Sequence, residues 1–242
     1  MSQNIADKIT IISTAYNEEE SLENFFEACN SIRKILEIEF PIVLVNNGST
    51  DLTLTILNAF ASRSRKVTVI DNPHGKGYGD GINAAIEKVM TPYVLILPSD
   101  LQFSAADATK VIKHFIELYN FKEQHLNILT FRKRRLDSIY NRIRGQIWKL
   151  FLRSLFRLPR ALDPASQLKL ICTDCCSNIS ESSFLWDVVQ SISSCASASK
   201  AEVVPVTLYA RAHGNSSLKG SPMENELLAF RRLMAIRKEM SK

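Results

Sequence analysis

PIVLVNNGSTDLTLTILNAFA, residues 41–61, carries the three parts from which the fold is read. Ile42 to Val45 is an unbroken β-branched and aliphatic run, too short for a helix and lacking the polar alternation of a half-exposed strand. Asn46, Asn47 and Gly48 break it with turn residues, and Ser49, Thr50 and Asp51 then cap a helix predicted over Leu52 to Ala61. A strand that is apolar on both faces and runs at once into a helix belongs in a parallel sheet covered on both sides.

The same unit recurs outward from this stretch. Ile9 to Ile12, Val67 to Ile70 and Tyr93 to Leu97 are further short apolar runs. Between them lie an amphipathic segment, Glu18 to Leu36, and a helix predicted over Ile82 to Val89 after a glycine-rich turn. The predicted fold class is therefore α/β: a doubly wound, Rossmann-like, mostly parallel sheet with helices on both faces. No Gly/Ser/Pro-rich linker or low-complexity tract divides the 242 residues, so one domain is expected.

Composition narrows the class of protein. With 45% hydrophobic and 23% charged residues the chain is ordinary globular material. It opens without a basic region leading into an apolar one, and no apolar run reaches the roughly 18 residues of a membrane span. A cytoplasmic protein is the expectation. Five cysteines are an odd number, and Cys172, Cys175 and Cys176 sit too close for a disulfide framework. With no second Cys or His pair at metal-binding spacing, they read as unliganded structural thiols.

In open α/β sheets, ligands bind outside the carboxyl ends of the strands. Those ends read STAYNEEE (13–20), NNGSTD (46–51), DNPHGKGYGDG (71–81) and PSDLQ (98–102). The third has four glycines and Lys76, which together suit an anion: backbone N–H groups can approach it and the lysine supplies charge. It is not a Walker loop, since GxxxxGK[ST] is absent, and it follows the third strand, unlike the first-turn glycines of dinucleotide folds. Taken in order, the four ends sketch a pocket for a nucleotide diphosphate.

That order resembles the family 2 glycosyltransferases of GT-A fold, in the polyprenyl-phosphate branch typified by dolichol-phosphate mannosyltransferase. Thr14 to Glu18 matches the family's opening motif, Asn46 to Asp51 its D-D-G-S-x-D, Asn72 to Asn83 its glycine-rich segment and Pro98 to Gln102 its D-x-D-L-Q. Arg132 after the fifth strand, Asp163, Ser166, Gln167 and Lys169, and Arg211, Gly214 and Ser216 are thinner matches. The resemblance implies a nucleotide-binding half over 1–135 and an acceptor-side half over 136–242. It assigns Thr14, Tyr16, Glu18, Asn46, Asn47, Ser49, Asp51, Lys76, Gly77, Asn83, Ser99 and Asp100 to the nucleotide sugar. It also implies a divalent cation, Mg2+ or Mn2+, on Asp100 and Gln102, and inversion by direct displacement. Pro98 stands where the family has the first carboxylate of D-x-D, and Asn46 and Asn47 stand where it has two more.

The acceptor side centres on residues 131–160, where ten Lys/Arg face one acid for a net +9; the chain as a whole carries +5, so the remainder sums to −4. Ile139, Ile143, Ile147, Leu150, Phe151 and Leu155 recur at helical spacing, with Trp148 and Phe156 alongside. A basic amphipathic helix suits an anionic membrane surface or a lipid phosphate, and equally an ordinary helix whose charged face is solvated. Nucleic acid is not expected as a partner, because no recognition motif accompanies the charge. By resemblance, Arg132, Arg142, Asp163, Gln167 and Lys169 would receive a polyprenyl phosphate or glycan acceptor, and Asp100, Arg132 and Arg211 would take part in transfer.

A phosphate acceptor is already ionised and needs no strong base. For a hydroxyl acceptor, Asp187 occupies the neighbourhood of an acidic base; a helix-capping role suits it as well. A non-catalytic GT-A domain that stabilises a complex is a third reading, favoured by Pro98 and the two asparagines. His74 and His213 read as surface or structural histidines. The amphipathic segment 222–240 reads as closing the core or a homodimer rather than holding a cofactor.

Overall fold

Side chains alternate along a strand, and here each alternation lands on a different core. Ile42 and Leu44 pack on one side of the sheet with helices α1 (Leu22–Leu36), α2 (Thr53–Ala61) and α4 (Ala105–Tyr119). Val43 and Val45 pack on the other with α3 (Tyr78–Ile86), α5 (Ile139–Phe156), α6 (Trp186–Ala196) and α7 (Pro222–Glu239). This double burial is why the strands read as continuous apolar runs. The structure is a computed structural model that describes residues 5–75, 77–119, 125–176, 179, 181, 183–196, 200–211 and 222–239.

Among the described residues seven strands form the sheet: β1 (Ile9–Ala15), β2 (Ile42–Asn46), β3 (Val67–Asp71), β4 (Tyr93–Ile96), β5 (Leu126–Arg135), β6 (Lys169–Cys172) and β7 (Lys200–Leu208). They are ordered β3-β2-β1-β4-β6-β5-β7. The pairs β1–β2, β1–β4, β2–β3 and β5–β7 are parallel, whereas β6 runs antiparallel to both β4 and β5. The carboxyl ends of β1 to β5 and β7 therefore share one rim with the amino end of β6. The carboxyl end of β6 and the amino end of β5 lie at the opposite rim.

Three sequence expectations shift. The helix predicted from Ile82 begins at Tyr78 and ends at Ile86, so Gly79 and Gly81 lie inside its first turn rather than in a preceding loop. Arg132 lies within β5, not after it, because that strand continues past a register shift at Arg132/Arg134 to stay paired with β7 as far as Arg135. In α5 the recurring Ile139, Ile143, Ile147 and Leu150 face solvent at 59–72% exposure, and the helix seats itself instead through Lys149 and Leu152, with Trp148, Phe151 and Leu155 partly buried. Serine capping starts this helix: the Ser138 hydroxyl accepts from the Asn141 amide at 3.2 Å. Among the described residues, no helix is long and apolar enough to cross a membrane.

Helix α7 packs on the second core through Ala229 and Leu233, while Leu227, Leu228, Phe230 and Met234 of its apolar set are exposed. Its neighbours are α5, through the Phe151–Phe230 ring pair and an Arg144–Glu226 ion pair at 3.5 Å, and the segment before α6, where Arg232 Nε meets Glu181 Oε2 at 3.0 Å.

Candidate active site

Hydrogen bonds tie the loops at the carboxyl rim to one another. The Ser49 hydroxyl accepts from the Asn17 amide at 3.0 Å, and Asn17 Oδ1 accepts from the Thr50 amide at 2.8 Å. Glu19 and Asp51 accept from backbone amides on each other's loop, at 2.9 Å from Leu52 and 3.3 Å from Glu19. Asn17 holds a left-handed φ of 53°, which asparagine tolerates. Ser49 and Asp51, expected at the nucleotide, thus serve in this structure to lock the β1–α1 loop against the β2–α2 loop.

The two asparagines act as donors where carboxylates could not. Asn46 gives its amide to Asp71 Oδ1 at 2.8 Å and accepts from the Ser49 amide at 3.3 Å. An aspartate at 46 would set like charges against each other. Asn47 gives its amide to the Gly77 carbonyl at 2.8 Å and accepts from Asn72 at 3.0 Å, strapping the glycine-rich segment down. The fit leaves no room: a Cβ on Gly75 would fall 2.1 Å from Asn47 Oδ1, and one on Gly81 2.8 Å from Thr14 Cγ2. These glycines permit close approach of segments. Lys76 lies outside the described residues, as do His213, Gly214 and Ser216.

Beside these loops opens a cavity of about 630 Å3 at the carboxyl rim. Thr14, Tyr16, Glu18, Asn47, Gly77, Ser99, Asp100, Gln167 and Arg211 line it together. The Ser99 hydroxyl donates to the Thr14 carbonyl at 2.9 Å and so joins the ends of β4 and β1. Asp100 is 5% exposed, and its Oδ2 lies 3.1 Å from Arg211 Nε, brought there by the end of β7. Burial raises the Asp100 carboxyl above its ordinary range, and Arg211 opposes that shift. Glu18 is raised too, chiefly by burial, partly offset by its hydrogen bond from Ser21 and reinforced by the Asp100 charge.

Asp100 is buried and Glu18 half-buried at one cavity, and Asp100 and Gln102 offer hard oxygen donors of the kind Mg2+ and Mn2+ take. Both offer oxygens to such an ion, Asp100 from the cavity wall with its Oδ2 beside Arg211 and Gln102 from just outside the lining. Gln102 gives its amide nitrogen to the Tyr209 carbonyl at 3.3 Å, and the Gln102 backbone amide donates to Asp100 Oδ1 at 3.2 Å. Between them Leu101 holds φ at 58°, an unusual conformation for a branched residue and a strain concentrated at this site.

Other expected residues lie elsewhere. Asn83 does not line the cavity: its Oδ1 accepts from Trp186 Nε1 at 2.8 Å and its amide donates to the Glu181 carbonyl, tying α3 to α6. Arg132 and Asp163 are brought together, but as a closed bidentate pair at 2.7 and 2.8 Å. Burial works to raise Asp163, yet the Arg132 charge and hydrogen bonds hold it below the usual carboxylate range. Lys169, 1% exposed, donates to the Asp187 carbonyl at 2.6 Å and to Ser191 at 2.9 Å, with Asp187 Oδ1 at 3.2 Å. Burial pushes Lys169 down and Asp187 up, and each opposes the other's shift. Neither reaches the cavity, because an ammonium and a carboxylate buried between β6 and α6 satisfy one another first. Arg142 is exposed on α5, away from the cavity lining.

Gly75 and Tyr78 of the glycine-rich segment also line the cavity, with Phe184, Asn225 and Leu228, which were not foreseen. Asn225 and Leu228 come from α7, whose apolar spacing signalled burial but not which wall it would form.

A sheet in this order, with a cavity at its carboxyl rim walled by acidic and glycine-rich loops, defines the GT-A class of nucleotide-sugar folds. The family described as "Glycosyl transferase family 2" matches residues 10–176, and the chain belongs to that family. It is 25% identical over 174 residues to a prophage bactoprenol glucosyl transferase homolog of Escherichia coli strain K12, covering 71% of this chain and 54% of that protein. It is 26% identical over 147 residues to the undecaprenyl-phosphate 4-deoxy-4-formamido-L-arabinose transferase of Yersinia enterocolitica, covering 60% and 43%. Among solved structures, glucosyl-3-phosphoglycerate synthase from Mycobacterium tuberculosis, in complex with Mn2+, UDP and phosphoglyceric acid, aligns at TM-score 0.68 and 16% identity. That alignment covers 96% of this chain and 78% of the synthase. The matched region spans 15–54% of the length of the first curated relatives.

Proposed function

We propose that the protein transfers a hexose from a nucleotide-diphosphate sugar to a polyprenyl phosphate, with inversion by direct displacement. The observation that carries this reading is the pairing of charges: Arg211 enters the cavity beside Asp100, while Asp187 is sequestered with Lys169. Among the described lining residues Arg211 is the sole Lys or Arg, suited to hold an anionic oxygen of donor or acceptor. A phosphate oxygen is ionised near neutral pH, so attack at the anomeric carbon needs positioning more than a strong base. With Asp187 buried, the hydroxyl-acceptor reading loses the base that distinguished it. The names of the two bacterial relatives, a bactoprenol glucosyl and an undecaprenyl-phosphate sugar transferase, support the same acceptor class.

The chain's own groups divide the work. Asn47 and the glycines it straps place the diphosphate-facing backbone, Asp100 and Gln102 would hold Mg2+ or Mn2+, and Gln167 offers a neutral polar contact on the acceptor side. Such a cation, when bound, neutralises the departing nucleotide diphosphate. The outward apolar stripe of α5, set in the basic 131–160 segment, fits an anionic lipid surface where a polyprenyl phosphate resides.

The test is a product assay with a panel of nucleotide sugars, offering a short polyprenyl phosphate and the matching polyprenol side by side. The expected product, found by mass, is the glycosyl phosphoprenol from the phosphate alone. Transfer to the free alcohol instead, or no turnover with any donor, would overturn the proposal.

A further inference from the structure

The rim opposite the cavity carries chemistry that sugar transfer does not use. Among the described residues, His125, Cys172 and Cys175 bring one ligand atom each to within 4.8 Å of one another. They arrive from separate places. Cys172 ends β6, Cys175 sits in the turn that follows, and His125 immediately precedes β5, so the antiparallel pairing of β5 with β6 brings residues 47 apart in sequence together.

We propose that His125, Cys172 and Cys175 form a binding site for a borderline-soft transition-metal dication, best suited to Zn2+, with its fourth position left to solvent. Cys172 and Cys175 are spaced C-x-x-C, the spacing at which a turn presents two thiolates to one zinc ion. His125 Nδ1 lies 3.7 Å from Cys172 Sγ. Zinc bonds of about 2.0–2.1 Å to nitrogen and about 2.3 Å to sulfur, spread tetrahedrally, require an N to S separation of about 3.6 Å. The His125–Cys172 pair is therefore nearly at bonding separation already, and the Cys175 sulfur lies within 4.8 Å of both.

The surroundings hold the ligands in place. Asn127, fully buried, accepts from the Cys172 amide at 2.9 Å, fixing the backbone that carries the first sulfur. Cys176 is turned away: its thiol donates to the Cys172 carbonyl at 3.2 Å and packs in the second core, so it is not the fourth ligand. His125 is exposed, which gives an ion a path in from solvent. Binding displaces the two thiol protons to solvent and leaves a neutral Zn(thiolate)2(imidazole) centre. This inference stands independently of the sugar-transfer reading, because the two sites lie at opposite ends of the strands.

The experiment uses the full chain under a phosphine reductant, titrated with Co2+ alone. The expected result is a near-ultraviolet thiolate-to-cobalt charge-transfer band with tetrahedral visible bands, saturating at equimolar metal and bleached by Zn2+. Cys175→Ser and His125→Ala replace the less buried ligands, so each variant should fold. Each should weaken cobalt binding by more than about 100-fold, since even an outer partner of a metal ligand is worth about 10–100-fold. Asp100→Asn should leave the band unchanged, because an oxygen site produces no thiolate transition. Absence of the band in reduced protein, its survival in Cys175→Ser, or a Cys172–Cys175 disulfide that resists the reductant would each overturn the proposal.

Discussion

Asp100 decides most at the scale of single residues. Its carboxyl is raised by burial, so metal and donor share a competition with a proton that begins at higher pH than for an exposed aspartate. The ionised form is the one that binds a cation. Metal-dependent donor affinity, followed by calorimetry, should therefore hold near neutrality and fall as pH drops through a midpoint above the ordinary aspartate range. Asp100→Asn should remove that dependence and lower turnover by about 100-fold or more, the scale of losing one preorganised electrostatic group. Gly81 sets two effects of opposite sign against each other. Alanine within a helix gains about 1 kcal/mol over glycine, but its Cβ would stand 2.8 Å from Thr14 Cγ2 and 3.2 Å from Asn47 Cγ. Overpacking costs about 1–3 kcal/mol, so Gly81→Ala should lower the melting temperature as well as donor affinity.

Between elements, the Lys169–Asp187 pair pins α6 to β6. Removing one partner strands a buried charge, a loss of about 3–5 kcal/mol, whereas replacing both with apolar residues is often neutral. Urea denaturation should show Lys169→Met strongly destabilised and Lys169→Met/Asp187→Leu restored most of the way. Survival of polyprenyl-phosphate transfer in the double variant would separate a structural role from a catalytic one. The pair also shows where reading by sequence stops. Strands β1 to β4 were legible because burial on both faces leaves one-dimensional runs, and their loops because glycine, asparagine and aspartate each have a local reason to be there. Lys169 and Asp187 were legible as charged residues near a site. That they would cancel each other inside the fold depends on α6 crossing β6, and β6 spans only Lys169–Cys172, too short to announce itself. Asn225 and Leu228 escaped for the same reason: a helix period says which side is buried, not which cavity it borders. His125 beside Cys172 likewise needed the β5–β6 pairing, which no spacing rule contains.

For the whole molecule, the charge is divided: +9 within residues 131–160 and −4 elsewhere. Vesicles containing anionic lipid should sediment the protein, neutral vesicles should not, and added salt should release it. Ile143→Glu with Ile147→Glu should abolish sedimentation while leaving the unfolding free energy within about 1 kcal/mol, about 0.5 kcal/mol for each exposed site. The sheet order has a bearing on how the chain is made. Strand β5 is ten residues long and pairs on one side with β7, whose partner register begins 74 positions later, Leu126 to Lys200. Chains emerge from the ribosome at about 5–20 residues per second, so for seconds the nascent protein holds a long strand with one open edge. Such an edge invites pairing with a neighbouring chain. The cavity wall waits longer still, since Asn225 and Leu228 come from α7. A ribosome paused before β7 would thus display a nearly finished sheet that is both sticky and without a complete active site, and expression yield should respond to codon speed between residues 136 and 200.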